Sequence, residues 1–386
     1  MHGRGEWPYH EKPLIVFWET TKACLLECKH CRAEAIKEPL PGELSTEEGL
    51  RLIEDVASFG RPTPILVFTG GDLLMRRDIW DLLSYAAKLG VRRAVAPSVT
   101  PLLTTEVMDR FVKLGVGAVS ISLDSPYPEV HDRIRGIEGT WERTIWVLRE
   151  LSKRPLRVQV NTVVMKSTVE GLPDMVKLLL DLRVKTWEVF YLIPVGRAGF
   201  QEDLTPSEWE DVSLFLYQAS KYGLRVRTVE GPFFRRIALA ASKLEAAGGS
   251  VEDLVRPGAL YRRLMNRLVE VLGEPRGPPM AHTVGTMDGR GIIFVSHDGN
   301  VYPSGFLPLS AGNVRVRSLR DIYRRSMLFQ TLRSKLKGKC GVCEFKDICG
   351  GSRARAFAYT GDPFAEDPAC IYKPGAWASM MPGDGG

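Results

Sequence analysis

The chain has 386 residues, of which 44% are hydrophobic and 25% charged, and its formal net charge at pH 7 is +6. These values are typical of a globular protein, and they exclude a disordered chain, a collagen-like repeat and a small disulfide scaffold. The longest apolar runs are too short to span a bilayer, and the first twelve residues lack the apolar core of a secretion signal. We therefore expect a cytoplasmic protein without a membrane segment. The excess of basic residues suits an anionic small-molecule ligand, whereas the lack of a polybasic tract gives no reason to expect a nucleic-acid partner.

Short β-rich apolar runs alternate with longer amphipathic runs from residue 14 to about residue 222. This alternation predicts βαβ units with a parallel sheet, in an open or partial barrel whose chemistry lies at the carboxyl ends of the strands. The predicted strands are 14–18, 65–69, 93–96, 118–123, 157–164 and 187–192. The predicted helices are 46–59, 77–89, 105–114, 141–151 and 172–182. Ser45 and Glu48 resemble a capping box at the start of the first helix.

The alternation ends near residue 223 in this interpretation, and we place a domain boundary there. Beyond it, helices are predicted over 237–247, 260–272 and 319–336, and a hairpin over 291–301 that turns at Asp298-Gly299-Asn300. The predicted division is an N-terminal tail (1–12), a barrel (13–223), a helical linker (224–290) and a smaller C-terminal α+β domain (291–386).

The seven cysteines fall into two groups that lie far apart in the sequence. An odd number of cysteines without an export signal argues against a disulfide framework. Clustering at ligand-like spacings indicates metal or iron–sulfur sites instead. The first group is Cys24, Cys28 and Cys31, and the second is Cys340, Cys343, Cys349 and Cys370.

The first group has the spacing C-x3-C-x2-C and directly follows the first predicted strand. Three thiolates can hold three irons of a cubane cluster and leave the fourth iron open to a small molecule. Zinc is the alternative, with His30 available as a fourth ligand. The second group can form a closed four-thiolate site, for which the residues alone leave zinc and [4Fe-4S] comparable. Cys370 is alternatively a free buried thiol.

A C-x3-C-x2-C motif after the first strand of an α/β barrel resembles the radical S-adenosylmethionine (SAM) superfamily, over roughly residues 12–225. The resemblance implies a partial (β/α)6 barrel in which the first three cysteines ligate a [4Fe-4S] cluster. It also implies that SAM chelates the open iron and that its reductive cleavage yields a 5′-deoxyadenosyl radical. The implied electron donor is a low-potential ferredoxin or flavodoxin.

Further segments at predicted strand ends agree with this superfamily. Thr69 to Asp72 resembles its GGE motif, although this chain has Asp and lacks the proline that commonly follows the acid. Ser120 to Asp124 matches a strand of the SISLD type, and Ile193 to Ala198 resembles the segment whose backbone approaches adenine. Asn161 is a ribose contact or, about equally, a structural sheet residue. The implied SAM-binding residues are Gly70, Gly71, Asp72, Ser98, Ser122, Asp124, Asn161, Pro194 and Gly196.

The second cysteine group resembles the C-terminal extension called SPASM, or its shortened twitch form. That resemblance implies one auxiliary [4Fe-4S] cluster on Cys340, Cys343, Cys349 and Cys370. Relatives with a further cluster usually have cysteine at the position of Ser304, so we expect two clusters that use all seven thiols. The segments 97–101, 303–314 and 349–370 resemble the radical SAM enzymes of alternative heme biosynthesis.

This branch implies an oxidoreductase or decarboxylase that acts on the propionate or acetate side chains of an iron porphyrin. The arginines available for carboxylates are Arg133, Arg135, Arg197, Arg353 and Arg355, and the histidines available to a heme iron are His10, His282 and His297. No catalytic acid or base is identified. The alternatives are a peptide-modifying SPASM maturase and a non-enzymatic iron–sulfur electron carrier. The short segment before the first strand counts against the maturase, and the open three-cysteine site counts against the carrier.

Overall fold

The computed structural model describes residues 7–283 and 285–377. Parts of the predicted tail (1–6) and of the predicted C-terminal domain (378–386) therefore lie outside the described residues. No helix in the described ranges is both long and apolar enough to cross a bilayer.

One continuous sheet organises the described chain. Its strands are β1 (Ile15–Glu19), β2 (Ile65–Thr69), β3 (Arg92–Val95), β4 (Ala118–Ser122), β5 (Arg157–Val164), β6 (Thr186–Tyr191), β7 (Arg225–Val229), β8 (Met287–Asp288), β9 (Gly291–Val295), β10 (Asn300–Tyr302) and β11 (Gly312–Asn313). Their order is β11-β10-β9-β1-β2-β3-β4-β5-β6-β7, and β8 pairs with β9. Strands β1 to β7 are all parallel, which confirms the predicted α/β architecture.

Helices connect these strands and cover the outer face of the sheet. They are α1 (Thr46–Ala57), α2 (Ile79–Lys88), α3 (Thr105–Lys113), α4 (Pro128–Arg135), α5 (Thr140–Ser152), α6 (Leu172–Asp181), α7 (Pro206–Ala219), α8 (Phe233–Ala246), α9 (Ala259–Leu272), α10 (Leu319–Arg325), α11 (Met327–Ser334), α12 (Gly338–Val342) and α13 (Arg353–Thr360). The predicted capping box of α1 is present, with Glu48 N–H donating to Ser45 Oγ and Ser45 N–H to the Glu48 carboxylate. Four of these helices, α4, α7, α12 and α13, were not predicted, and the helix predicted over 319–336 is broken at Ser326.

Strand β7 corrects the prediction that the alternation ends at residue 223. It lies inside the segment predicted as a helical linker and continues the sheet in parallel next to β6. Its sequence, Arg225-Val-Arg-Thr-Val, has only two apolar residues, and they are not adjacent. Tertiary pairing with β6 decides its conformation, which local composition does not indicate.

The two faces of the parallel strands differ in burial. Outward-facing side chains such as Trp18, Phe68, Val160 and Trp187 are fully buried under the helices. Inward-facing side chains of β4, β5 and β6 are only half-buried, so burial alternates residue by residue along these strands. The interior of the partial barrel is therefore open to solvent, as a substrate-binding barrel requires.

Glu230, directly after β7, joins the barrel to the C-terminal part of the chain. Its carboxylate accepts hydrogen bonds from Ser304 Oγ at 3.5 Å and from Ser352 Oγ at 2.5 Å. Burial, with the neighbouring carboxylate of Asp288, raises the pKa of Glu230 to about 8. Asp367 adds to this rise, while Arg355 opposes it. The folded state therefore favours the protonated form of this carboxyl group.

A carboxyl group whose pKa is raised by folding stabilises the fold at low pH, and this stabilisation is lost as the pH rises through the folded-state pKa. We predict that Glu230→Gln removes this loss of stability. When the pH is raised from 5.5 to 8.5, the free energy of unfolding of the variant should therefore increase by more than about 1 kcal/mol relative to that of the unmodified chain. Glu129→Gln, at an exposed position, is the matched control and should show no such gain. Parallel pH profiles for the unmodified chain and Glu230→Gln would contradict the prediction.

Candidate active site at the carboxyl ends of the strands

The loop that follows β1 carries Cys24, Cys28 and Cys31 and is closed on itself by backbone hydrogen bonds. Cys24 N–H donates to the carbonyl of Ile36 at 2.7 Å, and Ile36 N–H donates to the carbonyl of Lys22 at 3.1 Å. The three thiols are thus held at the carboxyl end of β1, where the sequence predicted them. We call residues 20–36 the cluster loop.

Each of the three sulfur atoms lies near a hydrogen-bond donor. Leu26 N–H donates to Cys24 Sγ at 3.4 Å, Ala35 N–H to Cys31 Sγ at 3.4 Å, and Arg135 Nη1 to Cys28 Sγ at 3.6 Å. Donors of this kind stabilise thiolates and tune iron–sulfur clusters. Burial raises the pKa of Cys24, so its ionisation needs a compensating cation such as iron.

The turn after β2 packs directly against the cluster loop. Gly71 N–H donates to the carbonyl of Thr21 at 2.8 Å, and Asp72 N–H donates to the carbonyl of Ala23 at 2.7 Å. A Cβ at Gly70 would lie 2.5 Å from Thr21 O, and one at Gly71 would lie 2.3 Å from Ala23 O. Gly70 also has a φ of +143°, so both glycines are required by the close approach of two backbones.

Asp72 and Ser98 connect this turn to the next strand end. The Asp72 carboxylate is buried, accepts from Thr100 Oγ1 at 2.8 Å and accepts from Leu74 N–H at 3.1 Å. Ser98 Oγ donates to the carbonyl of Gly71 at 2.6 Å and lies 3.5 Å from Cys24 Sγ. Ser98 therefore adjoins a cluster thiol, whereas the side chain of Asp72 is engaged in holding the turn.

Asp124, expected to contact SAM, has its carboxylate engaged within the protein. Its Oδ2 lies 2.7 Å from Arg135 Nη2 and 3.0 Å from His30 Nε2, and its Oδ1 accepts from Val163 N–H at 3.1 Å. Burial alone would raise the pKa of Asp124, but Arg135 and His30 outweigh burial and hold it well below its usual range. The Nε2 of His30 is thus engaged by Asp124.

A hollow with an empty volume of about 270 Å³ lies between the cluster loop and the end of β6. Gly196, which has a φ of +61°, packs against the loop, because a Cβ there would lie 2.5 Å from Cys31 O. Pro194 belongs to the same turn, and Ser122 and Asn161 are register neighbours on β4 and β5. The residues that line the hollow are His30, Arg32, Val163, Phe190, Tyr191, Leu192, Ile193, Val195 and Phe306.

The end of β1 also contacts the C-terminal part of the chain through Glu19. Its carboxylate lies 3.0 Å from Arg32 Nη2 and 2.8 Å from His297 Nδ1. Burial would raise the pKa of Glu19, but His297 and Arg32 hold it below its usual value. The Nδ1 of His297 is thus engaged by Glu19, whereas His10 is exposed.

The four cysteines of the second group line one hollow with an empty volume of about 370 Å³. Asp367 N–H donates to Cys340 Sγ at 3.4 Å, and Arg353 Nη2 donates to the same sulfur at 3.7 Å. Burial raises the pKa of Cys370 to about 11. Cys370 therefore lies with the other three thiols, as a four-thiolate site requires.

Arg236 lines the same hollow and was not singled out by the sequence. Its Nη2 lies 2.7 Å from Glu210, whereas its Nε and Nη1 are buried and find no partner among the described residues. Buried N–H groups without an acceptor are costly, and thiolates or the sulfides of a cluster would accept from them. This donor set fits an anionic iron–sulfur cluster.

The arginines predicted to bind substrate carboxylates do not line the hollow at the end of β6. Arg355 and Arg353 are buried, with Arg355 Nη1 donating to the carbonyl of Glu230 at 2.7 Å and Arg353 Nη1 to the carbonyl of Pro363 at 3.1 Å. Arg135 is engaged with Asp124 and Cys28, and Arg133 and Arg197 are exposed. The three buried arginines, Arg135, Arg353 and Arg355, stabilise the thiol sites and the backbone around them.

Comparison with known proteins agrees with this geometry. The sequence matches the profile of the radical SAM superfamily over residues 18–179 and that of the iron–sulfur cluster-binding SPASM domain over residues 287–349. It is 35% identical over 366 residues to the AdoMet-dependent heme synthase of Methanosarcina barkeri, covering 94% of this chain and 97% of that protein. The enzyme of that name from Nitratidesulfovibrio vulgaris is 36% identical, with coverages of 93% and 92%.

The chain belongs to the radical SAM superfamily. It is an enzyme of this superfamily with a SPASM domain, which confirms the predicted family, fold and iron–sulfur and SAM cofactors. The crystal structure of SuiB from Streptococcus suis, bound to S-adenosylmethionine, superposes with a TM-score of 0.68 at 15% identity. It covers 94% of this chain and 78% of SuiB, and at this identity the likeness concerns the fold alone.

Sequence reasoning missed the charged residues that surround the thiols of this radical SAM enzyme. Arg135 was considered only for the substrate, and Arg236 and Glu19 were not considered at all. Their roles depend in part on contacts between residues 26 or more positions apart, such as Arg135–Cys28, Glu19–His297 and Arg236–Glu210. The signal that was available was the presence of arginine and glutamate in otherwise apolar stretches.

We predict that Gly71→Ala prevents proper assembly of the first site. The added methyl group would meet Ala23 O at 2.3 Å, and relief of such a contact costs about 1–3 kcal/mol. Iron content after anaerobic reconstitution should fall, together with the absorbance of the first cluster. Gly117→Ala is the control, because its nearest neighbour is the mobile end of Arg157 at 3.2 Å. Full iron content in Gly71→Ala would contradict the prediction.

A second prediction concerns the potential of the auxiliary site. The double variant Glu210→Gln, Arg236→Gln removes the cation without leaving a buried charge unpaired. Because a nearby cation favours the reduced cluster, the midpoint potential should fall by some tens of millivolts, about 59 mV for each 1.4 kcal/mol. Glu210→Gln alone retains the cation and should have a higher potential than the double variant. Equal potentials in the unmodified protein and the double variant, measured by redox titration with EPR, would argue against this role.

Proposed function

We propose that this radical SAM enzyme converts propionate side chains of an iron porphyrin to vinyl groups by oxidative decarboxylation. We further propose that Cys24, Cys28 and Cys31 hold the SAM-binding cluster and that Cys340, Cys343, Cys349 and Cys370 hold one auxiliary cluster. The residues proposed to contact SAM are Gly70, Gly71, Ser98, Ser122, Asn161, Pro194 and Gly196. Asp72 and Asp124, also predicted from the sequence, are left out because their carboxylates are engaged within the protein. A low-potential ferredoxin or flavodoxin supplies electrons, and the setting is cytoplasmic.

One observation carries the substrate class. The identity to proteins named AdoMet-dependent heme synthase reaches 35–36% and extends over nearly the whole length of both chains. Relatives named as a peptide cyclase or a mycofactocin maturase are 26% and 28% identical. The similarity therefore favours the porphyrin over the peptide substrate.

The proposed reaction accounts for both thiol sites. When bound, the first cluster and SAM supply, after one-electron reduction, a 5′-deoxyadenosyl radical that removes one hydrogen atom from a substrate carbon. If that carbon is the β-carbon of a propionate, loss of CO₂ and of one further electron leaves a vinyl group. This last electron needs an acceptor, and the four-thiol site at the other end of the chain provides a place for one.

The chain's own residues position these partners. The cluster loop is held against the Gly70-Gly71 turn, and Arg135 offsets negative charge at Cys28. Glu19 links the cluster loop to the strand that leads into the C-terminal part through Arg32 and His297. The side chains that face this interior are only half-buried, so a ligand can reach them.

We predict that the anaerobic enzyme, supplied with SAM, a reductant and iron coproporphyrin III, releases one or two CO₂ per porphyrin. Mass spectrometry should detect the products together with 5′-deoxyadenosine. Cys24→Ala should abolish both products, whereas Cys343→Ala should still form 5′-deoxyadenosine but should form little decarboxylated porphyrin, because the electron acceptor is damaged.

The two variants are controls for each other, since each removes one thiol from a different site. SAM cleavage by the unmodified enzyme with an unchanged porphyrin would refute the substrate proposal. Full porphyrin conversion by Cys343→Ala would refute the role of the second site as electron acceptor.

A further inference from the structure

Four polar side chains form a row across the inner face of the barrel. In the register of the sheet, Ser122 on β4 lies beside Asn161 on β5, Asn161 beside Glu188 on β6, and Glu188 beside Arg227 on β7. Two residues further along the same strands, Val163 and Phe190 line the 270 Å³ hollow next to the cluster loop. The row therefore lies one layer of side chains below that hollow.

Arg227 is the cation of this row, and no described residue pairs with its side chain. It forms no ion pair within 4 Å and donates no hydrogen bond to any described residue, and its Nε is buried without a partner. Half-buried cations in proteins normally find an acceptor, because desolvation without one is costly. This guanidinium is partly buried on the inner face of the barrel, with donors left for a ligand.

Glu188, the adjacent carboxyl group, is held from its other side. Gln159 Nε2 donates to Glu188 Oε2 at 2.6 Å and to Asn161 Oδ1 at 2.8 Å, which ties these three side chains together. Burial raises the pKa of Glu188 even though Arg227 and Gln159 oppose the rise. Among the described residues, no ion pair within 4 Å joins Glu188 to Arg227, whose Nε has no partner.

The surroundings of Arg227 add positive potential. His282 lies within electrostatic reach of Arg225, Arg227 and Arg235. Arg235 is already engaged, because it donates to the carbonyls of Ile348 and Thr286. Burial, helped by these three arginines, lowers the pKa of His282 to about 4, so His282 is neutral at pH 7 and available as a hydrogen-bond donor or acceptor.

We propose that Arg227, with His282 beside it, binds a carboxylate of the substrate inside the barrel. The planar guanidinium matches a carboxylate through two parallel N–H···O bonds. The assignment rests on the proposed function, because it gives one of the porphyrin propionates a partner in this chain. It also replaces the arginines expected from the sequence, which are buried in other contacts or exposed.

The test is binding, measured on the anaerobically reconstituted protein by absorbance titration with iron coproporphyrin III. Arg227→Gln should weaken binding about 10-fold or more, as expected for loss of a charge-assisted hydrogen bond. Arg227→Lys should recover part of the loss, since it restores the charge without the fork. Arg133→Gln, which removes an exposed arginine, is the matched control and should bind like the unmodified protein. SAM binding and cluster absorbance should be unchanged in all variants.

A second ligand distinguishes the loss of a contact to a substrate carboxylate from a general effect of the substitution on the barrel. The tetramethyl ester of iron coproporphyrin III should bind the unmodified protein more weakly than the free acid, and Arg227→Gln should no longer distinguish the two. If the unmodified protein binds the acid and Arg227→Gln binds it equally well, the role of Arg227 is refuted and the proposed function stands. If the unmodified protein binds neither porphyrin, the proposal of a porphyrin substrate and the proposed role of Arg227 are both refuted.

Discussion

Parallel pairing on both sides of β1 is the constraint on which the site depends. β1 pairs with β2 on one side and with β9 on the other, so one strand connects the barrel with the C-terminal part of the chain. The cluster loop begins where β1 ends, and Glu19 at that end contacts Arg32 from the loop and His297 from beyond β9. Through this strand, elements from both ends of a 386-residue chain meet at the carboxyl edge of one sheet.

Buried arginines compensate the negative charge expected at both groups of thiols. Each thiol group has buried arginine nearby: Arg135 donates to Cys28, Arg353 donates to Cys340, and Arg236 lines the hollow of the second group. Clusters ligated by several thiolates carry negative charge, and burying that charge without compensation would be unfavourable. Arg135 and Arg236 are themselves paired with Asp124 and Glu210.

Local sequence determined how much of this could be predicted. Most of the strand and helix alternation up to β6 was readable because these strands contain adjacent apolar residues and the predicted helices have an apolar stripe, and the motifs at strand ends identified the superfamily. β7 was missed because its two valines are separated by Arg227 and Thr228, and Arg227, which we propose to bind substrate, lies on that strand. The contacts of Asp72 and Asp124 were also beyond sequence reasoning. Whether a carboxylate faces a cofactor or an arginine depends on which distant residue packs beside it.

The proposal of two separate clusters on one chain is tested most directly by iron and sulfide analysis with Mössbauer spectroscopy. The anaerobically reconstituted protein should contain about eight irons and no zinc. The variant with Cys24, Cys28 and Cys31 changed to alanine should keep about four irons, as should the variant with all four C-terminal cysteines changed. Zinc at the C-terminal site, or loss of all iron from either variant, would contradict the account.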